Sequence, residues 1–134
     1  MIDTSHRFQG HGSLRFVYQK GQTIRGSFCS LKYIANHRRK VYRVAVVVSR
    51  KVHKSAVVRN RIRRRIYEVI RQESHAIGRP YDLVFIVYSD QLATVPAPQL
   101  HATIHEKLIK ASIIDTASAG SNPKSRGIVE IKEN

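Results

Sequence analysis

The sequence is poor in several residue types, and each scarcity excludes a class of protein. Its single cysteine, Cys29, rules out an intramolecular disulfide framework and any zinc site made of four cysteines, and it fits a reducing compartment. No run of about 18 apolar residues is present, and the N-terminus lacks the basic-then-apolar order of a signal peptide. Tryptophan is absent, which argues against a broad apolar face for membrane binding. We therefore expect a cytoplasmic protein without a membrane partner.

Acidic residues are also few, nine in 134, and they are scattered. A protein that hydrolyses phosphodiesters by itself usually needs clustered carboxylates for two metal ions, or a histidine pair with a lysine. His101 and His105 have the spacing of two ligands on one helix face, but the sequence His-Ala-Thr-Ile-His-Glu lacks the His-Glu-x-x-His order of zinc enzymes. The sequence therefore predicts no catalytic residue and no metal site in the protein itself.

Positive charge, by contrast, is abundant: 24 lysines and arginines give a formal net charge of +15. Nine of these cations lie between Ser49 and Arg71, where Glu68 is the only acid, and five are arginines within residues 59–65. Guanidinium groups stay charged and present planar donors that match phosphate oxygens. Because so many like charges repel one another without a polyanion, this segment indicates nucleic-acid binding.

The apolar residues of the same segment predict how the arginines are displayed. They recur at the spacing of one helix face, which predicts a helix from Ala56 to Glu73 with that face toward a core. The stripe consists of Val58, Ile62, Ile66, Val69 and Ile70. A helix-turn-helix protein would need a companion helix just before residue 56, whereas a β-branched strand is predicted there, so DNA is not an expected partner.

The remaining segments predict two more helices and three strands. The helices span Leu14–Lys20, with Ser13 as N-cap, and Pro98–Ala111. The strands span Thr23–Ile34, Val41–Val48 and Tyr81–Tyr88. Helix, strand, strand, helix, strand, helix is an α+β order, with helices packed on an antiparallel or mixed sheet and a βαβ unit around the arginine helix. General statistics make such a crossover right-handed.

The domain limits follow from composition. Residues 1–112 are expected to form one RNA-binding α/β domain with a loose N-terminus over residues 1–12. From Thr116 to Gly127 the chain becomes rich in Ser, Ala, Gly, Asn, Pro and Lys, which is typical of a mobile segment, and residues 113–134 are expected to form a flexible C-terminal tail.

Two linked motifs resemble a known family. Ser49-Arg50-Lys51 followed by Ala-Val-Val-Arg-Asn-Arg-Ile-Arg-Arg at residues 56–64 resembles the signature of the bacterial ribonuclease P protein subunit, an Arg-Asn-Arg core preceded by a strand ending in Ser-Lys-Lys. The short helix ending at Gly21, the strand after it, and Gly-x-Pro-Tyr-Asp-Leu-Val-Phe at the start of the third strand come in the family's order. The resemblance covers roughly residues 5–111.

The resemblance implies a function and a fold. The family's protein binds a large catalytic RNA, and together they remove the 5′ leader of precursor tRNA by Mg²⁺-dependent hydrolysis, which leaves a 5′-phosphate on the mature tRNA. The active site and the Mg²⁺ ions then belong mainly to the RNA. The implied fold is a two-layer α/β sandwich like domain 2 of ribosomal protein S5, with a mixed sheet and a left-handed βαβ crossover that overrides the statistical expectation.

The resemblance also assigns two groups of residues. Those implied to bind the catalytic RNA are Arg50, Lys51, Lys54, Arg59, Asn60, Arg61, Arg63 and Arg64. A cleft between the sheet face and the arginine helix is implied to grip the single-stranded leader. The stacking candidates for that cleft are Phe16, Tyr18, Phe28 and Tyr33. Core packing is the competing role for each of these rings.

The chain departs from the family pattern at three places. Tyr67 stands where a basic residue is frequent after Ile66, the segment Val87-Tyr88-Ser89-Asp90 is neutral to acidic where a basic residue is common, and Leu14 replaces a frequent aromatic. The alternative function is a non-catalytic structural RNA-binding protein, such as a ribosomal protein. Such proteins often carry long basic tails, whereas this chain concentrates its charge on a predicted helix.

Overall fold

The computed structural model describes residues 4–8 and 12–114, which contain three α-helices, four strands and three short 3₁₀ helices. The helices are α1 (Gly12–Lys20), α2 (Ala56–Glu73) and α3 (Ala97–Lys110). The strands are β1 (Gln22–Ile24), β2 (Cys29–Ala35), β3 (Arg43–Val47) and β4 (Tyr81–Val87). The 3₁₀ helices span Thr4–His6, Ser74–Ala76 and Asp90–Ala93.

The four strands form one mixed sheet in the order β1-β2-β4-β3. β2 pairs antiparallel with both β1 and β4, whereas β3 and β4 are parallel and are joined through α2. The predicted α+β class, the mixed sheet and the βαβ unit around the arginine helix are confirmed. A parallel pair needs a long crossover, and α2 supplies it.

α2 has the predicted bounds because local signals define both of its ends. Ser55 is the N-cap, and its hydroxyl accepts a hydrogen bond from the Val58 amide at 3.4 Å. At the other end the Ser74 amide donates to the Arg71 carbonyl. Between these ends Ile62, Ile66 and Ile70 of the apolar stripe are fully inaccessible, Val69 is buried, and Val58 is half-buried. One face of the helix therefore packs in the core, and its other faces are accessible to solvent.

Side chains alternate between the two faces of the sheet, and the faces differ in composition. One face packs against α2 and α3 through Leu31, Val44, Val46, Leu83 and Phe85, all in the hydrophobic core. The opposite face carries Ser30, Lys32, Ile34, Arg43, Ala45, Val47, Asp82, Val84 and Ile86. α1 packs against β2 and β4, on this second face.

α1 covers only part of the second face. Val17 of α1 and Val84 of β4 are fully buried, but Ala45, Val47 and Ile86 are only half-buried. The half-buried residues form a strip of sheet surface that α1 leaves accessible, here called the open strip. This strip lies on the side of the sheet that faces away from α2.

The structure corrects several predicted boundaries. The predicted strand Thr23–Ile34 is two strands, β1 and β2, which form a hairpin in the register Gln22↔Tyr33. The chain turns around Gly26, where a Cβ would lie 2.7 Å from the Cys29 carbonyl oxygen and 2.6 Å from Lys107 Nζ, so a larger residue has no room. The alternation of polar and apolar residues does not show where the chain reverses direction. The reversal is set by the pairing of β1 with β2.

The other boundary differences are small. α1 begins at Gly12, which places Ser13 inside the helix and not at its N-cap, and α3 is one residue earlier than predicted at both ends. β3 is shorter than the predicted Val41–Val48, and the 3₁₀ helix Asp90–Ala93 was not predicted.

The N-terminal segment is attached to the sheet, contrary to the expectation of a loose N-terminus, over the residues 4–8 that are described. Arg7 forms a parallel bridge with Val44 of the edge strand β3. The His6 ring stacks on Tyr42 with centroids 4.0 Å apart, and its Nδ1 lies 2.9 Å from the Tyr42 carbonyl oxygen. These contacts place Arg7 beside α2, although the two are far apart in sequence.

At the C-terminal end, Ile113 and Ile114 are buried in the core, so packing continues past the boundary predicted after residue 112. The rest of the predicted tail, from residue 115, lies outside the described residues. Within the part of the chain that is described, no helix has the length and apolar character needed to cross a membrane.

Candidate nucleic-acid interface

α2 presents most of its predicted RNA-binding residues away from the sheet. Asn60, Arg61 and Arg64 are exposed, while Arg63 is half-buried. The Arg63 guanidinium donates to the Asn60 side-chain oxygen one turn earlier, which fixes its direction along the helix. One of the two acids on this helix, Glu68, is paired with Arg71, whose Nε lies 3.0 Å from Glu68 Oε1, and this hydrogen bond lowers the pKa of Glu68. The exposed arginines therefore keep their positive field.

Two of the five clustered arginines have structural roles that the sequence pattern did not show. Arg59 donates from NH1 to the carbonyl oxygens of His53 and Lys54, at 2.9 and 3.0 Å. Arg65 donates from NH1 to the Leu92 carbonyl oxygen at 2.6 Å and from NH2 to the Val95 carbonyl oxygen. One arginine thus anchors the loop before α2, and the other anchors the segment before α3.

The loop between β3 and α2 carries three more predicted RNA-binding cations. Arg50, Lys51 and Lys54 are all exposed. The loop backbone is ordered by a turn in which the Val52 amide donates to the Ser49 carbonyl at 3.0 Å, and by the Ser55 amide, which donates to His53 Nδ1 at 3.0 Å. Together with the anchor from Arg59, these bonds hold the loop cations next to the first turn of α2, so loop and helix form one basic surface.

The anchoring role of Arg65 leads to a testable result. Replacing Arg65 by Ala is expected to lower the free energy of unfolding by about 2 to 3 kcal/mol, because hydrogen bonds from a charged donor to two carbonyls are lost. Urea denaturation followed by circular dichroism measures this difference. The matched variant Arg61→Ala, at an exposed position of the same helix, should change stability by no more than about 0.5 kcal/mol. Equal stability losses in the two variants would contradict the anchoring role.

A pocket of about 370 Å³ lies beside α2. The sequence did not predict that two of its residues, Arg7 and Tyr67, would lie together. Its lining comprises Arg7, Asn60, Arg63, Arg64 and Tyr67. Tyr67 was interpreted as a departure from the family pattern that replaces a phosphate contact with a stacking ring, but it was not associated with Arg7. Arg7 could not be associated with this site from the sequence, since only the bridge to Val44 brings it near α2.

Among the predicted stacking residues, Tyr18 lies at the open strip. Its side chain is on α1 and is 37% exposed. Burial of its hydroxyl raises the pKa of Tyr18, and the neighbouring Tyr88 raises it further. Tyr88 in turn donates from its hydroxyl to Ser30 Oγ at 2.9 Å, on the same face of the sheet. Tyr88 was not predicted as a stacking residue. It directly follows β4 and is 52% exposed, and its bond to Ser30, which pairs with Ile86 in the sheet, places it at one end of this strip.

Phe16 lies nearer the other end of α1 and is 50% exposed. It lines a second pocket of about 520 Å³ together with Ile34, Arg38 and the buried pair of Arg43 and Asp82. Phe16 and Tyr18 therefore belong to the same side of the sheet, where rings and basic side chains are accessible together.

Phe28 and Tyr33 are placed differently from Phe16 and Tyr18. Both are half-buried and pack against the core on the face covered by α2 and α3. Tyr33 also donates to Gln22 Oε1 at 2.7 Å and makes an edge contact with Tyr81, with centroids 6.4 Å apart. The structure therefore does not bring the four predicted rings together.

The structure has no open cleft between α2 and the sheet, where the resemblance implied that the leader would bind, over the described residues. The space between α2 and the sheet is filled by the apolar core, including Ile62, Ile66 and Phe85, all fully buried. An RNA strand has no room there. The accessible sheet surface is the open strip, on the opposite face, beside α1.

The histidines of α3 contact a carboxylate at the end of α2. His101 Nε2 lies 2.8 Å and His105 Nδ1 3.2 Å from Glu73 Oε2, and the two rings are stacked with centroids 5.7 Å apart. Over residues 4–8 and 12–114, no group of three or more His, Cys, Asp and Glu side chains could hold a metal ion. These histidines therefore join α2 to α3.

The fold and this surface define a class: a basic α+β protein that concentrates its exposed cations on one helix and the loop before it. The model of the family "Ribonuclease P" matches residues 2–112. The ribonuclease P protein component of a Synechococcus species is 33% identical over 132 residues, covering 92% of this chain and 98% of the relative. That of Clostridium kluyveri is 41% identical over 83 residues, covering 60% of this chain and 72% of the relative. The chain therefore belongs to the family of ribonuclease P protein components, which assemble with an RNA subunit.

Solved structures agree at the level of the fold. The ribonuclease P protein of Staphylococcus aureus superposes with a TM-score of 0.73 at 21% identity, covering 82% of this chain and 98% of the other. That of Thermotoga maritima superposes with a TM-score of 0.65 at 21% identity, covering 78% of this chain and 93% of the other.

Proposed function

We propose that this chain binds the catalytic RNA of ribonuclease P and the 5′ leader of precursor tRNA, and that it assists the Mg²⁺-dependent endonucleolytic removal of the leader in the cytoplasm. The observation that carries the proposal is the basic surface of α2 and its preceding loop, in a chain that belongs to the family. The active site is assigned to the RNA partner.

The basic surface suits a structured RNA partner. The exposed residues Arg50, Lys51, Asn60, Arg61 and Arg64 offer donors to phosphate oxygens along one ordered segment. Phosphate contacts supply affinity and orientation with little sequence information. Because Arg59 fixes the loop to the helix, these donors are arranged before binding, and less conformational entropy is lost when the RNA docks.

The open strip suits a single-stranded leader. Tyr18 and Tyr88 offer rings for stacking, and Phe16 offers a separate exposed ring in the pocket beside Ile34 and Arg38. Lys32, on the same face, adds a cation. Rings stack on unpaired bases of any identity, which is what a protein that accepts many precursor tRNAs requires. The leader is therefore assigned to this face, and Phe28 and Tyr33 are assigned to core packing.

Mg²⁺ is not assigned to residues of this chain. The described carboxylates are engaged with protein partners or isolated: Asp82 is bonded to Arg43 and Asn36, and Glu73 contacts two histidines. This donor set does not fit a magnesium site. The roles given to the protein are therefore binding and positioning of RNA.

The experiment that tests the proposal is cleavage of a 5′-labelled precursor tRNA at low Mg²⁺. The reaction is run with a catalytic RNA of bacterial ribonuclease P alone, with this protein alone, and with both. Stimulation at the mature 5′ end only in the mixture is expected. Cleavage by the protein alone would overturn the assignment of the active site, and tight binding without stimulation of the cognate RNA would favour a structural RNA-binding protein.

The leader assignment predicts the behaviour of Tyr18. Replacing Tyr18 by Ala is expected to weaken holoenzyme binding of precursor tRNA by about 1 to 3 kcal/mol, because a base loses its stacking partner. Binding of mature tRNA, which has no leader, should change little. Equilibrium titration with both tRNAs measures the difference.

Tyr18→Phe is the matched control, since it keeps the ring and removes only the hydroxyl. It should bind precursor tRNA nearly as the unmodified protein does. Equal losses for precursor and mature tRNA in Tyr18→Ala would remove Tyr18 from the leader surface.

A further inference from the structure

The pocket beside α2 has a composition that points to a particular ligand. Its side chains are three guanidinium groups, one amide and one phenol ring, with no carboxylate among them. Its volume, about 370 Å³, is within the range of sites for small organic groups, roughly 300 to 1,000 Å³. We propose that it holds one unpaired nucleotide of the catalytic RNA, with the base on Tyr67 and a flanking phosphate between Arg7 and Arg63. This inference rests on the proposed function.

The helical spacing of the lining makes a continuous site. Asn60, Arg63, Arg64 and Tyr67 follow one another at steps of three, one and three residues, so they share one face of α2. From first to last they span about 10 Å along the helix, at about 1.5 Å per residue. This length accommodates a base together with a neighbouring phosphate. The ring is at one end of the stripe, and the arginines lie beside it.

Arg7 closes the pocket from the N-terminal segment. Its Nε is buried and has no hydrogen-bond partner within the described residues. The bridge of Arg7 to Val44 and the stacking of His6 on Tyr42 hold the segment in place.

Tyr67 distinguishes a nucleotide from a simple anion. Its ring is half-buried, and it packs against the core while also lining the pocket. Guanidinium groups alone would suit any phosphate, whether in a duplex or free. A ring beside them adds a stacking surface that only an unpaired base can use, because paired bases in a helix have no free face. Recognition of an unpaired nucleotide therefore explains the ring and the cations together.

The test compares Tyr67→Leu with Tyr67→Phe in the full chain. Each variant is titrated with the catalytic RNA at several salt concentrations. Tyr67→Leu should bind about tenfold to a hundredfold more weakly with an unchanged salt slope, because stacking is lost and no phosphate contact is removed. Tyr67→Phe should bind within about twofold of the unmodified protein. Arg7→Gln should weaken binding and reduce the salt slope by about 1.

Further measurements separate the possible failures. The same variants titrated with precursor tRNA alone identify the source of the nucleotide: a loss confined to precursor tRNA would overturn its assignment to the catalytic RNA. If Tyr67→Leu bound both RNAs as tightly as the unmodified protein does, the pocket would not bind a nucleotide. The proposed function would still stand if the unmodified protein stimulated cleavage. A protein that neither binds the catalytic RNA nor stimulates cleavage would overturn both.

Ultraviolet cross-linking of the unmodified protein to the catalytic RNA provides a second readout that does not depend on variants folding. Mass spectrometry of the digested complex should find a nucleotide attached to the peptide that contains Tyr67. Cross-links on other peptides with none at Tyr67 would contradict the proposal.

Discussion

Replacing Arg61, Arg63 and Arg64 together by Ala is expected to weaken binding to the catalytic RNA by about a hundredfold to a thousandfold at moderate salt. A solvent-exposed contact of this kind contributes about 1 to 1.4 kcal/mol net, so the three together contribute about 3 to 4 kcal/mol, and about 1.4 kcal/mol corresponds to a factor of ten. The slope of the logarithm of the binding constant against the logarithm of salt concentration should fall in magnitude by about 2 to 3, since each phosphate contact contributes roughly 0.7 to 0.9. Filter binding over a range of salt concentrations measures both quantities.

The matched control removes the same charge elsewhere. Arg25, Arg79 and Lys110 are exposed and lie outside α2 and its loop. Their replacement by Ala lowers the net charge equally, so any effect of overall charge on RNA binding is the same in the two triple variants. The control should keep most of the affinity and a slope within about 1 of the original. If both triple variants lost affinity alike, α2 would have no special role in the interface.

The second large effect is on stability. Asp82 is 2% exposed and accepts hydrogen bonds from Arg43 Nε and NH2, at 3.0 and 2.9 Å, and from Asn36 Nδ2 at 3.0 Å. The Arg43 guanidinium also lies over the Phe8 ring, 4.6 Å from its centroid. Replacing Asp82 by Ala is expected to lower the free energy of unfolding by about 3 to 5 kcal/mol, because it leaves a buried charge without its partner.

Chemical denaturation is the measurement, and a double variant tests the reason. In Arg43→Met with Asp82→Leu, both charges are replaced by apolar side chains of similar volume, and much of the lost stability should return. The recovery is expected because the penalty comes from the uncompensated guanidinium and not from the missing contact alone. A loss below about 1 kcal/mol for Asp82→Ala would show that water reaches Arg43 and relieves the unpaired charge.

The two effects concern different parts of the molecule and should separate in experiment. The triple arginine variant acts on a solvent-facing surface, where substitutions usually leave stability within about 0.5 kcal/mol per site. Asp82→Ala acts on β4 and on the wall of the pocket that contains Phe16. At temperatures where Asp82→Ala remains folded, its affinity for the catalytic RNA should stay near that of the unmodified protein.

The sequence by itself determined the helix α2, the α+β class and the family. Helix periodicity acts within a few residues, so the approximate bounds predicted for this helix, Ala56 to Glu73, agree with those of α2. The Arg-Asn-Arg motif lies on this helix, and the resemblance to the family depends on these residue types at fixed spacing. These features are local, so they can be predicted without knowing which distant segments contact each other in the fold.

Tertiary structure decided which arginines are available and where the aromatic rings lie. Arg65 is anchored by carbonyls 27 and 30 residues away, a contact that no periodicity reports. Tyr33 and Tyr18 were both predicted to stack on the leader. Strand register places Tyr33 on the covered face, whereas α1 holds Tyr18 at the open strip. The pocket beside α2 likewise exists only because the N-terminal segment pairs with β3 and brings Arg7 to Tyr67. Pairing between distant segments depends on the whole fold, and for that reason it could not be predicted from the chain alone.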